Sequence, residues 1–390
     1  MSGRVLFCAT VVSHLKAFHL PYLQWFKEQG WEVHAAACGE EALSHVDKQF
    51  NLSIERSPFK WSNITAYRGL KQLIDRNDYD IIHCHTPMGA VLTRLAARNA
   101  RHRGTKVIYT AHGFHFFTGA SKVNWLIYYP VEKWLSRYTD CLITMNREDY
   151  ERIQKRRFRA KSIAYVHGVG IDFNKYKPVS ADEKAQLRAE YGIENDKFVL
   201  IYAAELTRRK NQNLLFEVID KLRERIPNIQ LLLAGKGELE AYYKGLAQEM
   251  GLEDRVTFLG HRSDMNKLYA MSDLAVSSSR QEGLPVNVME AIASGLPVVA
   301  TDVRGNRDLV SDGVHGLLVE LGDAAAFGEA ILQLFEKPAL RESISREYVR
   351  LTKLYSISNV LGEVTPIYRN IVLEGGTGTV FAGDHNGLKM

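Results

Sequence analysis

Short, continuously apolar runs alternate with stretches of helical periodicity along most of the chain, and this alternation constrains the fold more than any other feature. Strands that are apolar at every position, and not only at alternate ones, are typical of parallel sheets covered by helices on both faces. In chain order the runs are RVLFCATVV, WEVHAAAC, LSIER, YDIIHCH, TKVIYTAH, DCLITM, FVLIYAA, IQLLLAG, RVTFLG, DLAVSS, LPVVATD and GLLVE. The pattern predicts an α/β chain.

The series of runs restarts near Phe198, after a charged stretch with glycine and proline that is typical of a domain junction. A chain of 390 residues also favours two domains. We therefore predict two doubly wound, Rossmann-like domains that face each other across a cleft, because ligands bind at the carboxyl ends of parallel strands. The predicted segments are a first domain at 1–170, a second domain at 171–345, a helical segment at 346–373 that packs back on the first domain, and a flexible tail at 374–390.

Charge is divided unevenly, since residues 1–170 hold 24 Lys and Arg against 14 Asp and Glu, whereas residues 171–390 hold 26 against 31. The basic first half indicates an anionic surface or substrate. No apolar run approaches the roughly 18 residues that span a bilayer, and the first run is typical of a buried strand and not of a signal peptide. Four cysteines without C-x-x-C spacing indicate reduced thiols in a cytoplasmic protein. They are Cys8, Cys38, Cys84 and Cys141.

The stretch EGLPVNVME, residues 282–290, places two carboxylates on either side of a glycine and a proline. It follows a strand, and a helix is expected to begin at Val286 or Asn287, where unpaired backbone N–H groups suit a phosphate. Glu282 and Glu290 can flank one pocket and accept hydrogen bonds from sugar hydroxyls. By spacing alone, an ordinary acidic loop before a helix remains an alternative.

Two further strand ends carry candidate site residues. In AAELTRRKNQ, Arg208, Arg209 and Lys210 would neutralise a leaving diphosphate, with a solvated basic helix start as the alternative. In YTAHGFHFFTG, His112, or His115 as second choice, would hydrogen-bond a hydroxyl or stabilise developing positive charge. A histidine satisfied locally within the loop is the alternative there.

Two patterns that resemble metal sites are not interpreted as such. The triplet HCH at 83–85 lies on a strand, where adjacent side chains point to opposite faces, so Cys84 cannot easily share one ion with both histidines. The triplet DYD at 78–80 precedes a buried strand instead of following one, and we expect it to be a solvated turn. We expect no metal and no cofactor.

Basic clusters at 94–106 and 152–161, with several aromatic residues between His115 and Leu135, leave two interpretations open. One is an ordinary basic surface over an aromatic core. The other is docking on anionic lipid, where each cation near the surface adds roughly 1 kcal/mol. No nucleic-acid-binding module accompanies the basic residues, so nucleic acid is not an expected partner.

Linked motifs resemble those of the family 4 glycosyltransferases of the GT-B fold, especially the bacterial capsular and exopolysaccharide members. The E-x7-E pattern of Glu282 and Glu290 is followed by ASGLPVVATDVRG and DGVHGLLV. YDIIHCHTP, TAHGFHFF, YAAELTRRKNQ, LLLAGKGELE and VTFLGHRSDM have family counterparts in the same order, so the similarity covers nearly the whole chain. One departure is Glu205, where the family usually has an arginine that contacts phosphate. Arg208 or Arg209 would have to replace it.

The resemblance implies a role for each matching residue. Glu282 would contact the donor sugar, Glu290 the ribose, and His112 the reacting face of the sugar, while the loop GKGELE would border the nucleotide base. The predicted catalytic residues are His112, Glu282 and Lys210. The predicted donor-binding residues are Arg208, Arg209, Lys210, Gly235, Gly237, Glu282, Gly283, Leu284, Pro285, Val286 and Glu290.

The resemblance also implies a retaining, metal-independent hexosyltransferase. We expect it in the cytoplasm, and a peripheral position at the inner face of the cell membrane is the alternative that the basic clusters leave open. It would move a hexose or N-acetylhexosamine from a nucleoside-diphosphate sugar, in particular a UDP-sugar, to a hydroxyl of a lipid-linked saccharide for capsular or other extracellular polysaccharide. Two alternatives stay open: a sugar-nucleotide epimerase or hydrolase of the same fold, and a non-catalytic, donor-binding partner in a synthase complex, which Glu205 slightly favours.

Overall fold

The computed structural model describes residues 3–373, apart from the side chains of 347–352 and 373. The chain divides into two compact units. The first contains the residues up to Gly170 together with those from Ile357 onward, and the second contains Ile171–Ser356. The predicted tail at 374–390 lies outside the described residues.

The first unit is built on a seven-stranded, all-parallel sheet with the strand order β3-β2-β1-β4-β5-β6-β7. The strands are β1 (Arg4–Val11), β2 (Glu32–Cys38), β3 (Lys48–Asn51), β4 (Ile81–His85), β5 (Lys106–Ala111), β6 (Cys141–Thr144) and β7 (Ser162–Tyr165). The helices between them are α1 (Val12–Phe18), α2 (Leu20–Glu28), α3 (Ser62–Arg76), α4 (Pro87–Ala96), α5 (Arg98–His102), α6 (Lys122–Leu135) and α7 (Arg147–Lys155), with a 3₁₀ turn at Ser136–Tyr138.

The central strand β1 shows why the runs are apolar at every position. Leu6 and Cys8 pack into the cluster that contains residues of α3 and α4. Phe7, between them, points to the other face, where its ring lies 5.8 Å from that of Phe26 in α2. Because both faces of the strand are covered, both sets of side chains are buried, as the continuous pattern predicts.

The second unit is built on a six-stranded, all-parallel sheet with the order β10-β9-β8-β11-β12-β13. The strands are β8 (Phe198–Ala203), β9 (Ile229–Ala234), β10 (Val256–Gly260), β11 (Leu274–Ser277), β12 (Val298–Thr301) and β13 (Gly316–Val319). The helices are α8 (Ala181–Glu190), α9 (Gln212–Leu222), α10 (Glu240–Glu249), α11 (Met265–Met271), α12 (Val286–Ala293), α13 (Arg304–Leu309), α14 (Ala324–Glu336) and α15 (Pro338–Tyr355). Two Rossmann-like sheets confirm the predicted α/β class.

A last helix, α16 (Ile357–Leu373), belongs to the first unit. Its Tyr368 hydroxyl lies 2.8 Å from Nδ1 of His83 in β4, and its ring packs on Phe26 of α2. The sequence places the beginning of this C-terminal segment at 346. In the structure the chain up to Ser356 stays with the second unit, because α15 ends at Tyr355 and Ser356 is extended.

Three local predictions differ from the structure. LSIER at 52–56 forms no strand, and the edge strand β3 lies just before it, at Lys48–Asn51. The short, partly polar β7 was not predicted because it lacks an apolar run. The helical periodicity of residues 15–29 predicts one helix, but the structure has two helices separated at His19, since Pro21 cannot continue the hydrogen bonding of α1.

Candidate functional site

The predicted site residues lie at or beside the point in each sheet where the strand order reverses. This point falls between β1 and β4 in the first sheet and between β8 and β11 in the second. Loops diverge from the carboxyl ends of the strands on either side of such a point and leave a crevice where ligands bind. Lys210 follows β8 and Glu282 follows β11, whereas His112 follows β5, the neighbour of β4.

Glu282 and Lys210 form a buried ion pair at this point of the second sheet. Lys210 Nζ lies 2.5 Å from Glu282 Oε1, and the two residues are only 8% and 4% exposed. The hydroxyl of Ser279 donates to the same carboxylate oxygen at 2.5 Å. Since an unpaired buried carboxylate would cost several kcal/mol, these donors stabilise the side chain of Glu282 and hold it in one orientation.

Three residues that the sequence reasoning missed support this pair. Tyr202 OH lies 2.7 Å from Ser279 Oγ, and the buried guanidinium of Arg304 donates from Nε to the backbone carbonyl of Glu282 at 2.8 Å. Tyr202 and Arg304 lie within motifs that were already singled out, YAAELTRRKNQ and ASGLPVVATDVRG, and Ser279 directly follows the run DLAVSS. The sequence signal that could have identified these three residues is a polar side chain at the end of an otherwise apolar strand.

The three consecutive cations do not act as one group. Arg209 Nη1 lies 3.6 Å from Glu282 Oε2, and Arg209 Nη2 lies 3.9 Å from Glu205 Oε2. Arg208 is exposed at the surface, whereas Lys210 is buried. Arg209 is therefore the arginine that lies beside Lys210 and Glu282.

Glu290 occupies surroundings unlike those of Glu282. It lies in the second turn of α12, where the hydroxyl of Tyr269 donates to Oε2 at 3.4 Å and the hydroxyl of Tyr176 also bonds it. Burial raises the pKa of Glu290 to about 7, while the two tyrosines and Lys175 oppose the rise. One carboxylate of the E-x7-E pattern is thus ion-paired, and the other lies among phenols.

The loop before α12 presents backbone donors, as expected. The helix begins at Val286, and Pro285 at its N-cap supplies no side-chain cap, so the first-turn N–H groups lack partners within the helix. Pro285 itself has no N–H, so within the loop at 283–286 only Gly283, Leu284 and Val286 offer a backbone donor. A Cβ on Gly305 would lie 2.5 Å from Gly283 O, so α13 can pack on the loop only through a glycine.

Gly235 and Gly237 are required by the protein's own packing. A Cβ on Gly235 would lie 2.0 Å from Ala204 O, and one on Gly237 would lie 2.3 Å from Leu206 O. The sequence interpretation attributed these glycines to the close approach of a ligand. The neighbour that requires them is instead the loop after β8, and their contact with a nucleotide base stays a prediction.

In the first unit, only one of the two predicted histidines lies near the point where the strand order reverses. His112 Nε2 lies 3.2 Å from His14 Nε2 of α1. Burial, with His14 and His83 nearby, lowers the pKa of His112 well below its usual value, so its imidazole is neutral. His115 instead stacks on Tyr128, with ring centroids 4.4 Å apart.

The patterns that were set aside have structural explanations. Cys84 faces away from the histidines beside it and donates its thiol to Ile108 O at 3.3 Å. Asp78 and Asp80 are exposed, and Asp80 Oδ2 accepts the backbone N–H of Arg4 at the first strand. Both expectations are consistent with these contacts.

The basic cluster at 94–106 is less of a surface feature than predicted. Arg94 is fully buried, with Nη2 2.9 Å from Glu132 Oε2. Arg101 forms a two-pronged pair with Asp140, with both distances at 2.8 Å. The interpretation of this cluster as a purely basic surface is wrong at these two positions, because a buried guanidinium must be neutralised.

Two parallel α/β units with a carboxylate–lysine site at the strand ends of the second define the GT-B class of glycosyltransferases. Residues 183–349 match the family model "Glycosyl transferases group 1", and residues 4–146 match "Glycosyl transferase 4-like". The chain belongs to this family of glycosyltransferases, which confirms the resemblance seen in its motifs.

Particular relatives extend over most of the chain. The Bacillus subtilis (strain 168) protein named "Putative glycosyltransferase EpsD" is 48% identical over 368 residues, covering 94% of this chain and 97% of that protein. The Escherichia coli UDP-Gal:alpha-D-GlcNAc-diphosphoundecaprenol alpha-1,3-galactosyltransferase is 29% identical and covers 80% and 82%. Anabaena HepE, solved with UDP and glucose, shares the fold with a TM-score of 0.78 at 20% identity, covering 94% and 100%.

Proposed function

We propose that this glycosyltransferase transfers a hexose or N-acetylhexosamine from a UDP-sugar to a hydroxyl of a lipid-linked saccharide, with retention of configuration, in extracellular polysaccharide biosynthesis. The observation that carries the proposal is the buried Lys210–Glu282 pair, with Arg209 beside it and the first turn of α12 next to it. Cations and N–H groups suit a diphosphate, and carboxylates suit sugar hydroxyls. The relatives with UDP-Gal and diphosphoundecaprenol in their names support this substrate class.

On the donor side, each contact of the second unit has a separate task. Glu290 accepts hydrogen bonds from the ribose hydroxyls. Lys210, Arg209 and the N–H groups of Gly283 and Val286 bind the diphosphate. Glu282 keeps Oε2, which lies 3.6 Å from Arg209, for a hydroxyl of the donor sugar, since Oε1 already accepts from Lys210 and Ser279.

In the transfer step, the bond between the anomeric carbon and the diphosphate oxygen breaks, and a bond to the acceptor oxygen forms. Negative charge develops on the leaving diphosphate, where Lys210 and Arg209 stabilise it. The acceptor proton passes to the leaving phosphate, so no separate base is needed. The neutral imidazole of His112 is proposed to bond the sugar at its reacting face, and no metal is needed to neutralise the diphosphate.

A donor and acceptor panel tests this function. The purified protein is incubated with UDP- and GDP-sugars, with and without a prenyl-diphosphate sugar. Formation of an elongated lipid-linked product from a UDP-sugar is the expected result, and its anomeric configuration by NMR tests retention. Release of free sugar or an epimer without transfer would indicate a hydrolase or epimerase, and donor binding without turnover would indicate a non-catalytic partner.

We also propose that the first unit docks on anionic membrane through α6. Apolar side chains of this helix are exposed at helical spacing, and Leu126 is 76% exposed. They are Val123, Leu126, Ile127, Val131 and Trp134. Lys122 and Lys133 lie on the same helix, a composition typical of helices at the membrane interface. Among the described residues, no helix is long and apolar enough to cross a membrane.

Liposome flotation tests the docking. The protein should float with anionic vesicles at low salt and less at high salt, because added ions screen charge attraction. Leu126→Asp should abolish flotation, whereas the matched change of an exposed apolar residue of the second unit, Val314→Asp, should not. Flotation that is indifferent to lipid charge and to Leu126→Asp would contradict the proposal.

A further inference from the structure

Four histidines from separate segments meet at the carboxyl edge of the first sheet. His14 belongs to α1, His19 separates α1 from α2, His85 is the last residue of β4, and His112 follows β5. The strands that position them, β1, β4 and β5, are consecutive neighbours in the sheet. The ligand nitrogens that the four histidines offer all lie within 4.8 Å of one another, so the imidazoles form one cluster.

The spacing of the nitrogens matches that of metal ligands. His14 Nε2 lies 3.2 Å from His112 Nε2 and 3.3 Å from His19 Nε2. In a tetrahedral zinc site with Zn–N bonds of roughly 2.0–2.1 Å, neighbouring ligand nitrogens are separated by about 3.3–3.4 Å. Three of the nitrogens therefore already lie near ligand–ligand separation.

Hydrogen bonds between its own rings account for only part of this cluster. Both ring nitrogens of His85, which is fully buried, and Nδ1 of His19 lack a partner among the described residues. His83, two positions earlier on the same strand, has its ring nitrogens 2.8 Å from Tyr368 OH and 2.7 Å from Thr110 Oγ1. A buried ring nitrogen without a hydrogen-bond partner is unfavourable, so His85 requires an explanation that His83 does not.

The surroundings favour the neutral imidazoles that bind metals. Burial lowers the pKa of His14 to about 4 and those of His19 and His85 well below the usual value. The ring of Phe7 stacks on that of His85, with centroids 5.9 Å apart, and supplies an apolar wall. An all-imidazole set without carboxylate favours Zn²⁺, Cu²⁺, Ni²⁺ or Co²⁺ over Mg²⁺ and Ca²⁺.

We propose that His14, His19, His85 and His112 bind one divalent transition-metal ion of the zinc type. Four protein ligands make a closed site, so the ion has a structural role in fixing the segments after β1, β4 and β5. The ring nitrogen of His85 that does not bind the ion has no hydrogen-bond acceptor among the described residues. A hydrogen bond at that second nitrogen usually strengthens a zinc site about 10–100-fold, so this site lacks one source of affinity. The ion should therefore exchange with chelators. His112 binds the ion through Nε2, so its Nδ1 remains free to hydrogen-bond a substrate hydroxyl, as the proposed function requires.

The site was not predicted, because the sequence argument considered HCH at 83–85 alone. That argument was sound for Cys84, whose thiol faces Ile108. The other three proposed ligands of the ion, His14, His19 and His112, are distant from His85 in sequence, and only the fold brings them beside it.

Cobalt binding tests the proposal without any activity measurement, so its outcome is independent of the proposed transfer reaction. Full-length protein without a histidine tag is stripped with chelator and titrated with Co²⁺. We expect one equivalent to bind with the visible absorption of tetrahedral Co²⁺, to be displaced by Zn²⁺ and not by Mg²⁺. Zn²⁺ should also raise the melting temperature, because it binds the folded state.

Two ligand variants and one control complete the test. His14→Ala, at a partly exposed position, and His85→Ala should each weaken Co²⁺ binding more than about 100-fold, beyond the effect of outer contacts. His34→Gln removes a buried imidazole that is already bonded to Tyr79 and Glu32, and it should keep full binding. Circular dichroism verifies that each variant is folded. If His85→Ala does not fold, His14→Ala alone tests the loss of Co²⁺ binding. No stoichiometric binding by the wild type, or equal binding by His14→Ala, would overturn the proposal.

Discussion

The two sheets place opposite kinds of polar groups at their equivalent carboxyl edges. In the second unit, Glu282 and Lys210 are ionised, buried and paired with each other, and Ser279 completes the contacts of the carboxylate. In the first unit, four imidazoles are neutral, and His85 has no hydrogen-bond partner among the described residues. Each edge also contains a non-glycine residue with positive φ, Thr86 or Asn211, a conformation that His45 and Arg157 also adopt elsewhere in the first unit.

The difference concerns how each edge is prepared for a ligand. Charges that already have partners hold their geometry before the donor arrives, so little reorganisation is needed when charge develops on the diphosphate. In the first unit, the imidazole of His85 has no hydrogen-bond partner among the described residues, so its nitrogen lone pair is available to an incoming ion. One topology thus supports two kinds of site, because the loops and not the strands carry the chemistry.

Removing the cation of the buried pair should have the largest effect. Lys210→Met should lower the free energy of unfolding of the second unit by about 3–5 kcal/mol, since it leaves Glu282 buried without its main counter-charge. Hydrogen exchange in β8 and β11 reports on this unit separately. Lys244→Met, which breaks an exposed pair with Glu240, should leave the exchange unchanged. If Lys210→Met and Lys244→Met change hydrogen exchange equally, the buried Lys210–Glu282 pair does not stabilise the second unit more than an exposed ion pair does.

In the first unit, comparing variants of His112 and His115 tests whether the position of a histidine, and not merely its presence in the loop after β5, determines its effect on the reaction. His112→Ala should lower kcat by about 10²–10⁴-fold, the usual range for a histidine that assists the reacting group. His115→Ala should change kcat little, because that ring stacks on Tyr128 away from the histidine cluster. Steady-state kinetics with the transfer assay measure both. Equal losses of kcat in the two variants would show that His112 has no special role at the reacting face of the donor sugar.

The next prediction distinguishes two adjacent arginines. Arg209→Ala should lower kcat/KM by about 10–100-fold, because hydrogen bonds to charged groups contribute about 1.5–3 kcal/mol. Arg208→Ala should cause a much smaller loss, because both arginines are exposed but only Arg209 lies beside Glu282. The reverse ranking would mean that Arg208, and not Arg209, substitutes for the arginine that Glu205 replaces.

Glu290 should give a smaller effect that depends on pH. Glu290→Gln should weaken UDP binding by about 1–3 kcal/mol, as measured by calorimetry, whereas Glu329→Gln on the exposed face of α14 should not. Because the pKa of Glu290 is raised to about 7, the carboxylate is mostly protonated at pH 6 and mostly ionised at pH 8.

Only the ionised form accepts hydrogen bonds through both oxygens, so wild-type affinity for UDP should rise between pH 6 and pH 8. The phosphate of UDP titrates in both proteins, and the difference between wild type and Glu290→Gln isolates the contribution of the carboxylate. An identical pH profile in the two proteins would remove Glu290 from the nucleotide site.

Much of the second site followed from local sequence, and the reason is its compactness along the chain. Glu282, Gly283 and the start of α12 are contiguous, and a loop after one strand predicts their common location. Tyr202 and Arg304 were missed because their contacts depend on how β8 and α13 approach the loop. Arg94 was misassigned to the surface for the same reason, since its partner Glu132 is distant in sequence.

By itself, the sequence determined the α/β class, the order of most strands, the family and the strand ends where the site residues lie. Hydrophobic periodicity and strand-end motifs are local properties, so they can be read without knowing which strands are neighbours. Only the tertiary structure decided which side chains meet, because contacts across a sheet depend on strand order. It paired Lys210 with Glu282, separated Arg208 from Arg209, and brought His14, His19, His85 and His112 into one cluster from the three segments that follow β1, β4 and β5.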